Sequence, residues 1–195
     1  MNGGRDNQLD RRKVVAGLLE DRGNLLVVCG LGSATWDVAA AGDNARDFHS
    51  WGGMGGAAMM GLGLALAQPD ESVTVITGDG EMLMGMGALA TIGARAPKNL
   101  SIVVLDNSHF GETGMQASHT GLGTDLCAVA RACSIPQVME VRSMEQVAAL
   151  RSALHRNDSC LFARVSISAA DYPRVMPERD GAKIKTRFRG ALGLS

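Results

Sequence analysis

The chain has no surplus of basic residues: 19 Lys and Arg stand against 20 Asp and Glu over 195 positions, a formal net charge of −1. A nucleic-acid partner is not expected, because gripping a phosphate backbone calls for a positive patch. No CxxC pair is present. Cys29, Cys127, Cys133 and Cys160 stand singly, two of them inside apolar strand-like runs where a thiol acts as a small hydrophobe. Reduced thiols in a cytoplasmic protein are the expectation. No apolar run is long enough to cross a membrane. The longest, Gly52 to Ala67, is glycine-rich and ends at Gln68-Pro69-Asp70, short of the roughly 20 residues such a helix needs. The opening MNGGRDNQLDRRKVV lacks the apolar core of a secretory signal. Aromatics make up only 4% of the residues, whereas there are 25 glycines and 11 methionines, many of them between positions 52 and 93. Glycine permits close backbone approach and methionine fills irregular apolar space, which fits a tightly packed helix layer.

What is present reads as one domain with one core. DNQLDRRKVVAGLLEDRG sets Leu9, Val14, Leu18 and Leu19 at helical spacing and stops at Gly23. NLLVVCG is a strand, SATWDVAAAG a short helix, RDFHSWGG a brief strand, and Met54 to Ala67 a glycine-rich helix closed by Pro69. SVTVITGDG is the next strand. EMLMGMGALATIGARA is read as a single helix with Leu83, Met86, Leu89, Ala90 and Ile92 on one side, ended by Pro97. NLSIVVLDN is a strand, and SHFGETGMQASHTGLG is too polar and glycine-rich for a regular element. TDLCAVARACS is a capped helix, PQVMEV a strand, SMEQVAALRSALHRN a helix capped by Ser143, and SCLFARVSI the last strand. Strands alternating with helices predict an α/β fold, a doubly wound parallel sheet with helices on both faces. The domain is assigned to 1–169. Residues 170–195 form a tail without a clean period, lying on the domain or a partner, or else solvated and disordered.

The chemistry centres on Gly78-Asp79-Gly80. Asp-Gly alone is an ordinary turn signal. Yet Asp79 follows one predicted strand and Asn107 the next, and a single right-handed crossover would bring both to one sheet edge, where ligands of such sheets collect. Mg²⁺ takes hard oxygen ligands and keeps sites for phosphate oxygens. Asp79, Asn107 and a backbone carbonyl just beyond it could supply such ligands, while the flanking glycines would let N–H groups close on a diphosphate. A competing reading is a nicotinamide-binding domain, since Gly30 and Gly32 follow a strand in GxG form. Thr35 stands where the third glycine should be.

GDGE at 78–81 with DN at 106–107 resembles the signature of thiamine-diphosphate enzymes, and WGGMGGA at 51–57 is similar to their aminopyrimidine-holding turn. The resemblance is nearest to the small (beta) subunit of sulfopyruvate decarboxylase and to phosphonopyruvate decarboxylase, through GLGLALA, GDGEMLMGMGALATI, DNSHFGETGMQ and TDLCAVARAC. It implies that Asp79, Asn107 and the main-chain oxygen of His109 bind Mg²⁺. Gly78, Gly80, Glu81 and Gly111 would lie along thiamine diphosphate. Gly52 would accept from the 4′-amino group, with Met54 as the wedge that bends the cofactor. Two departures stand out: Glu81 occupies a place where many relatives carry a small residue, and HFGETG replaces a more usual Tyr-Gly-Ser-Thr-Gly.

The resemblance also implies a missing half. Thiamine enzymes hold their cofactor between two domains, and the activating glutamate sits on the one this chain is too short to include. A separate pyrimidine-domain subunit is expected, with the active site at a hetero-oligomeric interface and a small 2-oxo acid as substrate. His49, His109, Glu112 and His119 are the candidate proton carriers on this side, imidazole being suited to the task near neutral pH. Each could equally be structural. A carboligating enzyme of the same family and a non-catalytic assembly subunit are the alternatives.

Overall fold

The computed structural model describes residues 8–194; the first seven residues, which belong to the stretch read as lacking a leader, lie outside them. Strands β1 (Leu26–Cys29), β2 (Asp47–His49), β3 (Val73–Gly78), β4 (Leu100–Asp106), β7 (Gln137–Val141) and β8 (Leu161–Ser166) form one sheet. A separate antiparallel pair, β5 (His109–Phe110) and β6 (Gln116–Ala117), stands apart from it. The helices are α1 (Arg11–Leu19), α2 (Ser33–Ala40), α3 (Ala57–Ala67), α4 (Asp79–Met84), α5 (Ala88–Arg95), α6 (Leu126–Ala132), α7 (Met144–Ala153) and α8 (Gly181–Ala191). No helix among the described residues is long and apolar enough to cross a membrane.

Every pairing in the large sheet is parallel, in the order β2-β1-β3-β4-β8-β7. Side chains alternate across a strand, so a sheet covered on both faces needs apolar residues at consecutive positions. The strands supply them. Leu26 and Val28 of β1 join one buried cluster with Leu100, Ile102 and Val104 of β4, while Val27, Cys29, Val103 and Leu105 join the other. Helices α1, α2 and α7 cover one face; α3, α5 and α6 cover the other.

The strand order reverses at β1. The chain passes from β1 outward to β2 and returns to β3 on the opposite side. A crevice at the carboxyl ends of β1 and β3 follows from that reversal. Gly78 pairs in register with Leu105, so the residues after β3 and after β4 leave the sheet side by side.

Three local expectations differ from the structure. The helix expected over 81–96 is two, broken at Gly85-Met86-Gly87. A Cβ on Gly85 would stand 2.1 Å from the carbonyl oxygen of Gly55, so the break lets the loop before α3 touch this backbone directly. Leu89 and Ile92 are buried as expected, but Ala90 is exposed. Leu9 is not in α1; it bridges Ile167, while Asp10 caps the helix by accepting from the N–H groups of Arg12 and Lys13. The polar loop after β4 is more regular than its composition implies, since β5 and β6 fold it back on itself around a 3₁₀ turn at Gly111–Thr113.

The C-terminal segment is docked on the domain. Ile184 and Phe188 of α8 are buried, the latter edge-on to Phe48 of β2 at 5.6 Å between ring centroids. Arg187 meets both oxygens of Asp43 at 2.8 Å.

Candidate active site

A cavity of about 100 Å³ opens at the carboxyl edge of the sheet where the strand order reverses. Four segments wall it: Leu31, Ser33 and Ala34 after β1; Gly78 to Glu81 after β3; Asn107 and His109 to Thr113 after β4; and Ile167 after β8. Leu105 of β4, Arg11 and Met54 complete the lining. Met54, Gly78, Asp79, Gly80, Glu81, Asn107, His109, Gly111 and Glu112, all singled out in the sequence, therefore face one space.

Asp79 is 3% exposed, and its side-chain hydrogen bonds fall on one oxygen, Oδ2, which accepts from Ser118 Oγ at 2.5 Å and Thr120 Oγ1 at 3.3 Å. Thr120 Oγ1 shares its one proton with Asp106 Oδ1, the nearer acceptor at 2.8 Å, and Asp106 pairs with Arg164 at 2.5 Å. Burial pushes the Asp79 carboxyl up from its ordinary range, and neighbouring Asp106 adds to the shift against the Ser118 hydrogen bond. Asn107 Oδ1 accepts from the His109 N–H at 2.9 Å, while the His109 ring nitrogen Nδ1 lies 2.8 Å from the Asn107 carbonyl. That turn puts the residues after β4 against those after β3. Phe110 closes over Gly80, where a Cβ would lie 2.9 Å from the ring.

Glu81, expected along the diphosphate, also holds the fold together. It lines the cavity, but its carboxylate is committed elsewhere: Oε2 accepts from the Leu31 N–H and from Thr77 Oγ1, each at 2.8 Å, and Oε1 reaches the Ala57 N–H at 3.4 Å. One buried acid thus ties together the loop after β1, the end of β3 and the start of α3. Gly30 leaves room for it, since a Cβ there would meet Oε2 at 1.9 Å.

His49 is the clearest correction among the proton-carrier candidates. It is 3% exposed at the end of β2, 3.4 Å from Thr35 Oγ1, and does not line the cavity. Burial, reinforced by Arg187, depresses its pKa to about 4. A neutral imidazole at physiological pH follows, with no part in titrations near neutrality. The unfolded chain takes up this proton near pH 6.5 and the folded chain only near 4, so stability falls as pH drops through that window. At full protonation the loss is on the order of 3 kcal/mol. A histidine ¹H–¹³C NMR titration should show His49 unprotonated down to about pH 4; a midpoint near 6.5 would contradict the burial argument.

Gly52 also lies off the cavity wall, in an exposed left-handed turn at φ 84°. His119 is exposed, its ring edge-on to Phe110 at 6.0 Å. Glu112 forms an ion pair with Arg174 at 3.7 Å, and Trp51 Nε1 donates to the Glu178 carbonyl at 3.0 Å.

The sequence profile described as thiamine pyrophosphate enzyme, C-terminal TPP binding domain, matches residues 31–163. The chain belongs to the thiamine pyrophosphate enzyme family. Among relatives of this TPP-binding domain, the sulfopyruvate decarboxylase subunit beta of Methanococcus maripaludis is 37% identical over 188 residues, 95% of this chain and 98% of that one. The subunit of the same name from Methanocaldococcus jannaschii is 42% identical over 113 residues, 58% of this chain and 60% of its own length. Phosphonopyruvate decarboxylase of Streptomyces viridochromogenes is 37% identical over 168 residues, 84% of this chain but 41% of that protein. Among solved structures, a putative thiamin diphosphate-dependent enzyme from Mycobacterium smegmatis superposes with a TM-score of 0.70 at 21% identity, covering 86% of this chain and 35% of the enzyme. The chain therefore spans the length of one relative almost entirely, 60% of a second, and less than half of the phosphonopyruvate decarboxylase and of the solved enzyme.

The family match settles the reading of GLGSAT at 30–35 against a nicotinamide fold. Leu31, Ser33 and Ala34 wall the cavity, a role the sequence reading did not give them. Their signal was nonetheless visible: a strand, then Gly-x-Gly, then a helix start. Helix α2 begins at Ser33 behind Gly32, φ 82°, without a side-chain cap bond. Arg11 and Ile167 carried no local signal, because only the fold brings them to this edge.

Proposed function

We propose that this chain is the diphosphate-side subunit of a thiamine-diphosphate- and Mg²⁺-dependent 2-oxo acid decarboxylase, cytoplasmic, acting on a sulfonated or phosphonated substrate. Its active site would be completed by a partner chain carrying the pyrimidine-side domain. The carrying observation is the cavity itself, walled by Asp79, Asn107 and glycine-flanked backbone in a chain of the same extent as a subunit named for sulfopyruvate decarboxylation.

The donor set fits the group. Asp79 offers a carboxylate whose side-chain hydrogen bonds leave Oδ1 aside, Asn107 an amide oxygen and His109 a main-chain oxygen, all hard donors of the kind Mg²⁺ takes. Asp79, Asn107 and the His109 carbonyl would hold the metal. Gly78, Gly80 and Gly111 leave backbone free to approach phosphate oxygens, and the start of α2 adds N–H donors that no side chain caps. Met54, 42% exposed and on the cavity wall, would support a ring of the cofactor, and the carbonyl of Gly52, which lies off that wall, would accept from its amino group. When bound, the cofactor supplies the electron sink that accepts the pair released with CO₂. His109 and Glu112, on the wall after β4, are the groups of this chain that could hold a proton near the reacting carbon.

Co-assembly tests the proposal. The chain alone should release no CO₂ from a sulfonated 2-oxo acid, whereas its complex with the pyrimidine-side partner should release CO₂ and the corresponding aldehyde, dependent on both thiamine diphosphate and Mg²⁺. Turnover by the isolated chain, or by a complex stripped of metal, would refute it.

A further inference from the structure

Resting on that proposed function, we infer that Arg11 forms a site for a tetrahedral oxyanion in the same cavity, and that the oxyanion is the terminal phosphate of the coenzyme. Arg11 is the first residue of α1, only 4% exposed, and shares the cavity wall with Gly78, Asp79 and Asn107. Its charge is incompletely matched. Nε lies 3.3 Å from Asp37 Oδ2 but makes no hydrogen bond among the described residues, while Arg12 Nε holds Asp37 Oδ1 at 2.9 Å. One buried carboxylate therefore serves two guanidinium groups.

Burying a cation without full hydrogen bonding is costly. A site of that kind is completed by an anion, and a guanidinium fork matches two oxygens of a phosphate or sulfonate at once. The Tyr172 ring, 5.1 Å from the Arg11 guanidinium carbon, braces it from the side of the C-terminal segment. Arg174 stacks over Trp36 at 4.4 Å and pairs with the cavity-lining Glu112 at 3.7 Å, so the acid on that wall is answered by a cation of its own. Both arginines fall outside the 31–163 span shared with the family profile, in the segments flanking it.

A sulfonate or phosphonate on the substrate has the same chemistry. The coenzyme's phosphate is favoured because Arg11 lines the same cavity as Gly78, Asp79, Gly80 and Asn107, the residues that would flank the diphosphate and its metal.

The test is titration calorimetry on the full chain assembled with its partner, using thiamine diphosphate and thiamine monophosphate, each with Mg²⁺. Arg11→Gln should weaken diphosphate binding by about 10- to 100-fold and leave the monophosphate nearly unchanged. Arg11→Lys, which keeps the charge but not the fork, guards against misfolding of the glutamine variant and should lose about 3- to 10-fold. Unfolding temperatures without ligand check that each variant is folded. Michaelis constants for a sulfonated 2-oxo acid and for pyruvate, at saturating coenzyme, separate the two oxyanion sources. If coenzyme affinity is unchanged and only the sulfonated substrate's constant rises, assignment to the coenzyme is overturned in favour of the substrate. If nothing changes, the site is overturned. Wild-type complex that takes up neither thiamine compound sinks the proposed function itself, a result distinct from variants that bind as wild type does.

Discussion

Asp79→Asn should abolish magnesium-dependent coenzyme uptake and lower turnover of the assembled enzyme by on the order of 10³-fold or more, while the apo fold stands as firmly as before. The two halves of this expectation have one cause. Asp79 is buried with its charge beside Asp106, and the Thr120 hydroxyl is shared between them at 3.3 and 2.8 Å. Arg164 answers Asp106 rather than Asp79. Without a cation, the Asp79 carboxylate is a buried charge held by two hydroxyls and a backbone N–H but by no cation, which burial and its acidic neighbour both disfavour. An amide keeps an oxygen for Ser118 and removes that charge, so the melting temperature of the apo variant should equal or exceed wild type. Calorimetric titration of coenzyme with Mg²⁺ reads the first half and differential scanning calorimetry the second. Wild-type coenzyme affinity in the variant would remove Asp79 from the metal site. A collapse in apo stability would show that the carboxylate is structural instead.

Asp79 and Asn107 were legible because their relation is local and topological. Each follows a strand, one crossover joins those strands, and parallel neighbours in register must end side by side. The alternation of strands with helices likewise declared a sheet covered on both faces, as the division of the consecutive apolar residues of β1 and β4 between two clusters bears out. Long-range contacts were less readable. A continuous helical period across 81–96 hid a break that depends on Gly85 lying against Gly55, thirty positions earlier. Arg11 and Ile167 reach the cavity only through the bridge of Leu9 to Ile167 and the seating of α1 at the sheet edge. The histidine at position 49 had the right chemistry in the sequence, yet folding withdrew it from the cavity wall and from neutral titration.

Glu81 makes the second large effect, and it is expected in stability rather than in cofactor contact. Two residues beyond Asp79, it spends its carboxylate on the Leu31 N–H, fifty positions away in sequence, and on Thr77 Oγ1, with Ala57 N–H at longer reach. Glu81→Ala strips partners from the buried Thr77 hydroxyl and the half-buried Leu31 N–H, at about 1–3 kcal/mol each. The total is about 2–6 kcal/mol, and for a domain of this size each kcal/mol lowers the melting temperature by about 2–4 °C. A fall of roughly 10 °C is therefore expected. Gly30→Ala should reproduce part of it by a different route, because its Cβ, 1.9 Å from Oε2, would displace the carboxylate from the same donors. The alternative, that Glu81 lies along the diphosphate, predicts the reverse pattern: intact stability with weakened coenzyme binding and no echo from Gly30. Within one four-residue motif, then, the first acid is exposed to selection by the ligand and the second by the fold. A paired measurement of melting temperature and coenzyme affinity in the Asp79 and Glu81 variants should separate them in opposite directions.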